Sequence, residues 1–425
     1  MPRPRTIAIG ALAALLVATP FIPRGGDPDG SLLPSGKEKY DALATSGTAV
    51  AGRVTPAMQA EIDRVVAQGR ALGRLSGKAA TTSLVDDLVR CANFEGQTYC
   101  LGSGWTESSP AEVRARAAAA ARTLAARPAG TTTTTGDLDV LGTLRRTAAL
   151  SPDARAAAER RELTDAARSV AKVWLLRHEI QGEPLPDGFL EAHPEARASA
   201  PTAGTTAAKA SASPSPSPSA SPTAAPAPTA KRKTRKDYPR RATVLDPSQV
   251  AEQERTYWCG PTTMQMITWG WKQEDLGQAH WADKLGTTTG GTAISDMVRV
   301  VNQNTGWDGK DYAGTYITLD IKDYTYQQWL LLTMRHIVDY KAPMIFHPIL
   351  LKKYYPYLDD DASGHFQAGR GYDKRGKKTT VVSYFEPWNQ QRFDPSEPYI
   401  ARVQWRWAYK SYRANEAHFQ HNIGV

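Results

Sequence analysis

Cysteine is scarce in this chain, with three residues in 425, and none of them falls in the first 90 positions. That absence removes the thiol a lipid-anchored N-terminus would need. Long apolar runs are missing too: the longest stands at the start, from Ile7 to Ala18, short of the ~20 residues that span a bilayer as a helix. Nothing later approaches that length, and the end, Asn422-Ile-Gly-Val425, resembles no wall-sorting signal.

The apolar run follows basic Arg3 and Arg5 and precedes Pro20, Pro23 and a Gly25-Gly26 break. It reads as a secretory signal peptide over 1–24, with an uncleaved anchor as the other reading. A secreted, extracellular protein, released or loosely attached to the wall, is therefore expected. Outside the cell, Cys91 and Cys100 can close a small disulfide loop and leave Cys259 unpaired. Cys259 as a buried inert thiol, or paired with one of the other two, stays open at this point.

From Pro201 to Thr229 the chain is almost entirely Ala, Ser, Pro and Thr, a composition that cannot build a core and behaves as an extended linker. Residues 198–241 thus separate a region over 37–197 from one over 242–425. The linker ends in Lys231 to Arg241, with seven basic residues and one acidic, against a formal net charge of +9 for the whole chain. This run suits contact with anionic wall polymers and reads equally as a solvated linker end. No fold signature supports nucleic-acid binding.

Before the linker, Pro110 opens an alanine-rich helical run and Ser151-Pro-Asp caps another reaching Ile180, so a mainly helical domain is expected. It carries no histidine near a cysteine, no clustered acidic ligands and no phosphate loop, and its function is not legible. After the linker, helical patterns at Thr262–Trp271, Ala293–Asn304 and Tyr326–Tyr340 precede strand-like runs at Pro343–Ile349, His365–Tyr372 and Thr379–Phe385. Helices first and strands later argue for an α+β domain. Of the tryptophans there, Trp269, Trp271, Trp281, Trp307, Trp329, Trp405 and Trp407 would serve as core or as the lining of a groove.

Chemistry concentrates at Cys259. It precedes a helical run, where unpaired N–H groups favour thiolate, and Gln253 lies six residues upstream with an amide suited to an oxyanion. A thiol nucleophile needs a histidine base and commonly a third group that orients it. His178 and His193 lie before the linker, His418 and His421 in a polar tail. His336 falls within a helix, His280 lacks an evident partner, and His347 in an apolar strand suggests structure. His365 instead opens a strand whose hairpin partner ends at Glu386. If the turn centres on Arg375 and Gly376, His365 and Glu386 lie opposite each other. A bulge would bring in Asn389.

These residues resemble the papain-like cysteine peptidases, most closely the bacteriocin-processing, double-glycine-leader peptidase-like family. The resemblance covers roughly 245–395 and rests on Gln253, Cys259-Gly-Pro, Gly290-Gly-Thr, and Gly364-His365 followed by Gly371-Tyr-Asp. It implies a papain-like fold, Cys259 as nucleophile, His365 as general acid and base, and Gln253 with the Cys259 N–H as oxyanion donors. Glu386-Pro387 stands where relatives usually show Asp-Pro. The resemblance implies no metal or cofactor and a peptide or protein substrate, cell-wall peptide included, acted on by a monomer. The competing expectation is a catalytically silent papain-fold binding module at the wall. The other secreted Cys/His class, with Asp-Cys-Ser-Gly at its nucleophile, fits Trp258-Cys-Gly-Pro261 poorly.

Overall fold

A computed structural model describes residues 52–126, 135–198, 232–306, 315–376, 379–388, 393 and 400–425. The expected signal peptide, residues 199–231 of the linker, and Asn389 and Trp307 lie outside these residues.

The first elements are α1 (Pro56–Ala71), capped by the Thr55 hydroxyl, and α2 (Thr81–Leu88). Strands β1 (Cys91–Phe94), β2 (Gln97–Cys100) and β3 (Gly104–Thr106) form an antiparallel meander. A Cys91–Cys100 disulfide joins β1 to β2, leaving Cys259 as a buried free thiol. Helix α3 (Pro110–Ala125) starts at a Ser109/Glu112 capping box with Pro at its first position. It is followed by α4 (Val140–Ala149), α5 (Pro152–Arg168), capped by Ser151, α6 (Val170–Leu176) and the short α7 (Phe189–Ala192).

Past the linker come β4 (Arg241–Thr243), α8 (Cys259–Lys272), α9 (Gly277–Leu285) and α10 (Ile294–Asn304). Next are β5 (Thr318–Asp320), α11 (Tyr326–Val338), β6 (Met344–Phe346), β7 (Gln367–Asp373) and β8 (Val381–Phe385). The last elements are β9 (Val403–Trp407), α12 (Ala408–Glu416) and β10 (Asn422–Gly424). Among the described residues no helix is long and apolar enough to cross a membrane.

All the strands belong to one sheet, ordered β1-β2-β3-β5-β10-β6-β7-β8-β9, with β4 pairing the far half of β7. The sheet crosses the boundary drawn at the linker: Trp105 of β3 bridges Leu319 of β5, the one parallel pairing among these strands. The main core also crosses it, since Ile62, Phe94, Trp105 and Leu163 share one buried cluster with Trp281, Trp329 and Phe346. Polar contacts follow the same seam. Thr106 and Arg116 both bind the Asp320 carboxylate, at 2.9 and 2.6 Å, and Arg335 of α11 forms a buried ion pair with Glu179.

The region before the linker is thus helices around a strand meander, joined to the sheet that follows. Sequence periodicity misses these strands because they are three or four residues long. Among the tryptophans, Trp281 and Trp329 are wholly buried core residues, whereas Trp407 is 40% exposed.

Candidate active site

Helix α8 opens at Cys259, and Pro261 is tolerated in its first turn because that N–H has no helical partner. Thr263, one turn on, donates its hydroxyl to the Phe366 carbonyl at 3.2 Å. This bond fixes the helix start beside the segment that carries His365.

His365 precedes β7, and its Nε2 lies 2.7 Å from Glu386 Oε1. The other carboxylate oxygen accepts from the Gln367 amide at 2.7 Å and the Tyr357 hydroxyl at 3.0 Å, and Trp388 N–H donates to Oε1 at 2.9 Å. Burial pushes the Glu386 carboxyl up. The His365 charge and these donors more than offset that, so its pKa lies below the usual value. A carboxylate at Nε2 places the ring proton there and leaves Nδ1 as the basic nitrogen. Nδ1 is buried and has no hydrogen-bond partner among the described residues.

The register differs from the expected one. Ala368 pairs with Phe385 and Asp373 with Val381, with a bulge between Gly369 and Gly371. The turn is therefore centred further along than Arg375 and Gly376, and Gln367, not His365, falls beside Glu386. His365 still reaches the carboxylate because residues two apart on one strand share a face.

Cys259, Gln253, His365 and Glu386 are each 0% exposed. The thiolate expected at the helix N-terminus is not favoured in this arrangement. Burial pushes the Cys259 thiol well above its ordinary range, and the Asp137 and Glu386 carboxylates add to the rise. The N–H groups of Phe366 and Gly260 act in the opposite sense without cancelling it. Gln253 is anchored near Glu386 by its own N–H, which donates to the Pro387 carbonyl at 2.8 Å. Its side-chain NH2 is spent on the Arg255 and Thr256 carbonyls, at 2.9 and 3.0 Å, and is not offered to an oxyanion here.

Asp137, not singled out in the sequence, lies close by with two histidines set aside there, His347 and His418. Asp137, from before the linker, accepts from His347 Nε2 at 2.8 Å on Oδ1 and from His418 Nε2 at 2.9 Å on Oδ2. The Gln420 N–H donates to His418 Nδ1 at 3.1 Å, so the His418 proton sits on Nε2 and points at Asp137. His347 Nδ1 faces Asn422 Oδ1 at 2.8 Å, and the Asn422 amide is oriented by donating to the Ser103 carbonyl at 3.1 Å. Both ring nitrogens of His347 are thus engaged, one by Asn422 and one by Asp137. These are the types of group that ligate metals, but here each ring nitrogen is engaged in a hydrogen bond. His418 is fully buried, unlike the polar tail read from sequence, because β10 inserts between β5 and β6 and draws the preceding loop inward. The tail's alternating polarity carried no sign of this.

Residues 246–415 match the model of the Peptidase_C39 like family, which supports a C39-like cysteine peptidase domain in that segment. The match takes in Gln253, Cys259, His365 and Glu386, whereas Asp137 and His418 lie outside it. No curated protein and no solved structure matches the chain.

Proposed function

We propose that residues 246–415 form a secreted cysteine peptidase that hydrolyses peptide or protein amide bonds through Cys259, His365 and Glu386. The observation that carries this reading is the 2.7 Å contact of His365 Nε2 with Glu386, which frees Nδ1 as a base next to the helix start that holds Cys259. His365 takes the thiol proton as sulfur attacks the substrate carbonyl, and the Cys259 N–H, one of the unpaired donors of the first turn, receives the oxyanion. His365 returns its proton to the leaving amine, and water, deprotonated by the same ring, releases the acyl group. Gln253 joins the oxyanion donors once its amide leaves the Arg255 and Thr256 carbonyls. A cell-wall peptide is one substrate this site accommodates, and the basic end of the linker would hold the protein at anionic wall polymers.

The competing reading, a silent binding module, draws on the sealed state of the four side chains. The two separate when Cys259 is labelled with an epoxide thiol probe between about pH 4 and about pH 9. An active pair gives modification that persists below neutral pH and falls in His365→Ala. An ordinary thiol profile that ignores His365 sinks the peptidase reading.

A further inference from the structure

Four residues from before the linker, Thr135-Gly136-Asp137-Leu138, run alongside the site as an extended strap. Asp137 pairs in parallel fashion with Thr292: Thr292 N–H donates to the Gly136 carbonyl at 2.9 Å and Leu138 N–H to the Thr292 carbonyl at 2.8 Å. On the other side, Thr135 N–H donates to Ser363 Oγ at 3.0 Å and its hydroxyl to the Gly364 carbonyl at 2.5 Å. The strap is thus hydrogen-bonded both to the loop ahead of α10 and to the residue that precedes His365.

Gly136 crosses directly over the nucleophile's backbone. A Cβ built there would lie 2.5 Å from the Tyr257 carbonyl carbon and 3.0 Å from the Cys259 nitrogen, and its φ of +109° also favours glycine. A Cβ at Gly364 would meet Asp137 Oδ2 at 2.2 Å and His418 Nε2 at 2.4 Å. A substrate peptide must lie in this same space, between Cys259 and the His365 segment. Main-chain pairing on the Thr292 side, with bonds through the Ser363 and Thr135 hydroxyls on the other, resembles the way extended peptides are held.

We propose that Thr135–Leu138 occupies the peptide cleft as a bound peptide does, and that His347 and His418 form a subsite of that cleft for an acidic side chain, filled here by Asp137. The inference rests on the peptidase reading for what the cleft does, but not for the strap's position. Its physical basis is that each of the two buried imidazoles directs an Nε2–H at the Asp137 carboxylate. With the strap gone, those donors lose their acceptor; a carboxylate restores one oxygen to each, whereas an amide has an oxygen for only one of them and an apolar side chain for neither. The strap therefore blocks the site and also displays the chemistry of what displaces it, an extended peptide with an acidic residue.

The test is the rate of iodoacetamide modification of Cys259, the free thiol, in the full-length oxidised chain. Asp137→Ala should label about tenfold faster or more than the parent, as expected when a closed state loses a buried ionic contact. Adding acetyl-Thr-Gly-Asp-Leu-amide should slow labelling of the variant, and the Asn-containing peptide should not. A parent that labels as fast as the variant overturns the blocking strap. Equal effects of the two peptides, or protection only by a peptide ending in a free carboxylate, overturns the acidic-side-chain subsite. The double variant Asp137→Ala/His365→Ala separates the two readings. If it labels as fast as Asp137→Ala, the strap stands and the peptidase reading falls. Should Asp137→Ala not fold, hydrogen exchange in the parent decides: slow exchange at the Leu138 and Thr292 amides is expected, and rapid exchange overturns the proposal.

Discussion

Glu386 lies beside Gln367 in the hairpin, yet its Oε1 is 2.7 Å from His365 Nε2, while Gln367 binds the other oxygen at the same distance. One carboxylate therefore orients the imidazole and is itself oriented by a strand neighbour. Glu386→Gln should keep the shape but removes the charge and leaves one acceptor oxygen where His365 and Gln367 each use one. A loss of about 10²–10⁴-fold in peptide hydrolysis is expected if His365 is the base. Gln367→Ala should cost less and act through His365, shifting the pH profile of Cys259 labelling more than its maximum. Activity of Glu386→Gln equal to the parent would remove Glu386 from the mechanism.

The strap latch should weaken in acid. Burial, with the neighbouring His347 charge, brings His418 down to about 4, against the pull of Asp137, and His421 adds to the depression. The unfolded chain then binds more protons than the folded one between about pH 6.5 and about pH 4, so stability falls as pH falls through that window. Asp137 works in the same sense. Burial alone would raise its carboxyl, but His347 and His418 hold it far below the usual range, and its contribution is lost only in stronger acid. Amide exchange at Leu138 should therefore accelerate between neutral pH and about pH 4 beyond the intrinsic chemical trend. A His418→Asn variant should not show that extra acceleration.

The Cys91–Cys100 bridge staples the meander that extends the main sheet. Replacing both cysteines with serine should lower stability by about 2–4 kcal/mol, measured by thermal unfolding. The accompanying loss should begin in residues 91–106, which hydrogen exchange can localise. An unchanged midpoint would show that packing of Phe94 and Trp105 alone holds the meander.

Arg335 and Glu179 form an ion pair that is almost completely buried and joins the region before the linker to α11. Arg335→Ala leaves the glutamate without its partner and should cost about 3–5 kcal/mol, whereas the double change Arg335→Met/Glu179→Leu should recover most of that. Thermal unfolding of the variants measures both. If the double variant is no better than Arg335→Ala, the pair matters through its packing and not its charge.

Much of the post-linker domain was legible in the sequence because its signals are local. Cys259-Gly-Pro is a local start signal, since Pro261 sits in the first turn where its missing N–H costs nothing. Tyr326 to Val338 has the 3.6-residue period of a buried helix and a Thr325/Gln328 capping box. The alternation on either side of the Asp373–Lys378 turn marks a hairpin, and face-sharing brought His365 to Glu386 even though the register was off. The register was off mainly at the turn, where Asp373 already pairs with Val381, and the bulge at Gly369–Gly371 moves it back by one residue.

What only the tertiary structure decided are the relationships across long stretches of chain. Asp137 meets His347 over 210 residues and His418 over 281, and Trp105 meets Leu319 across the linker. No periodicity or spacing encodes such contacts, because hydrophobic burial is non-directional and fixes partners only once the whole core is assembled. The sequence by itself determined which residues could do thiol chemistry. The fold decided that the thiol is buried, with its pKa pushed up and a segment of its own chain beside it, because exposure and electrostatic environment belong to the assembled structure and to no residue alone.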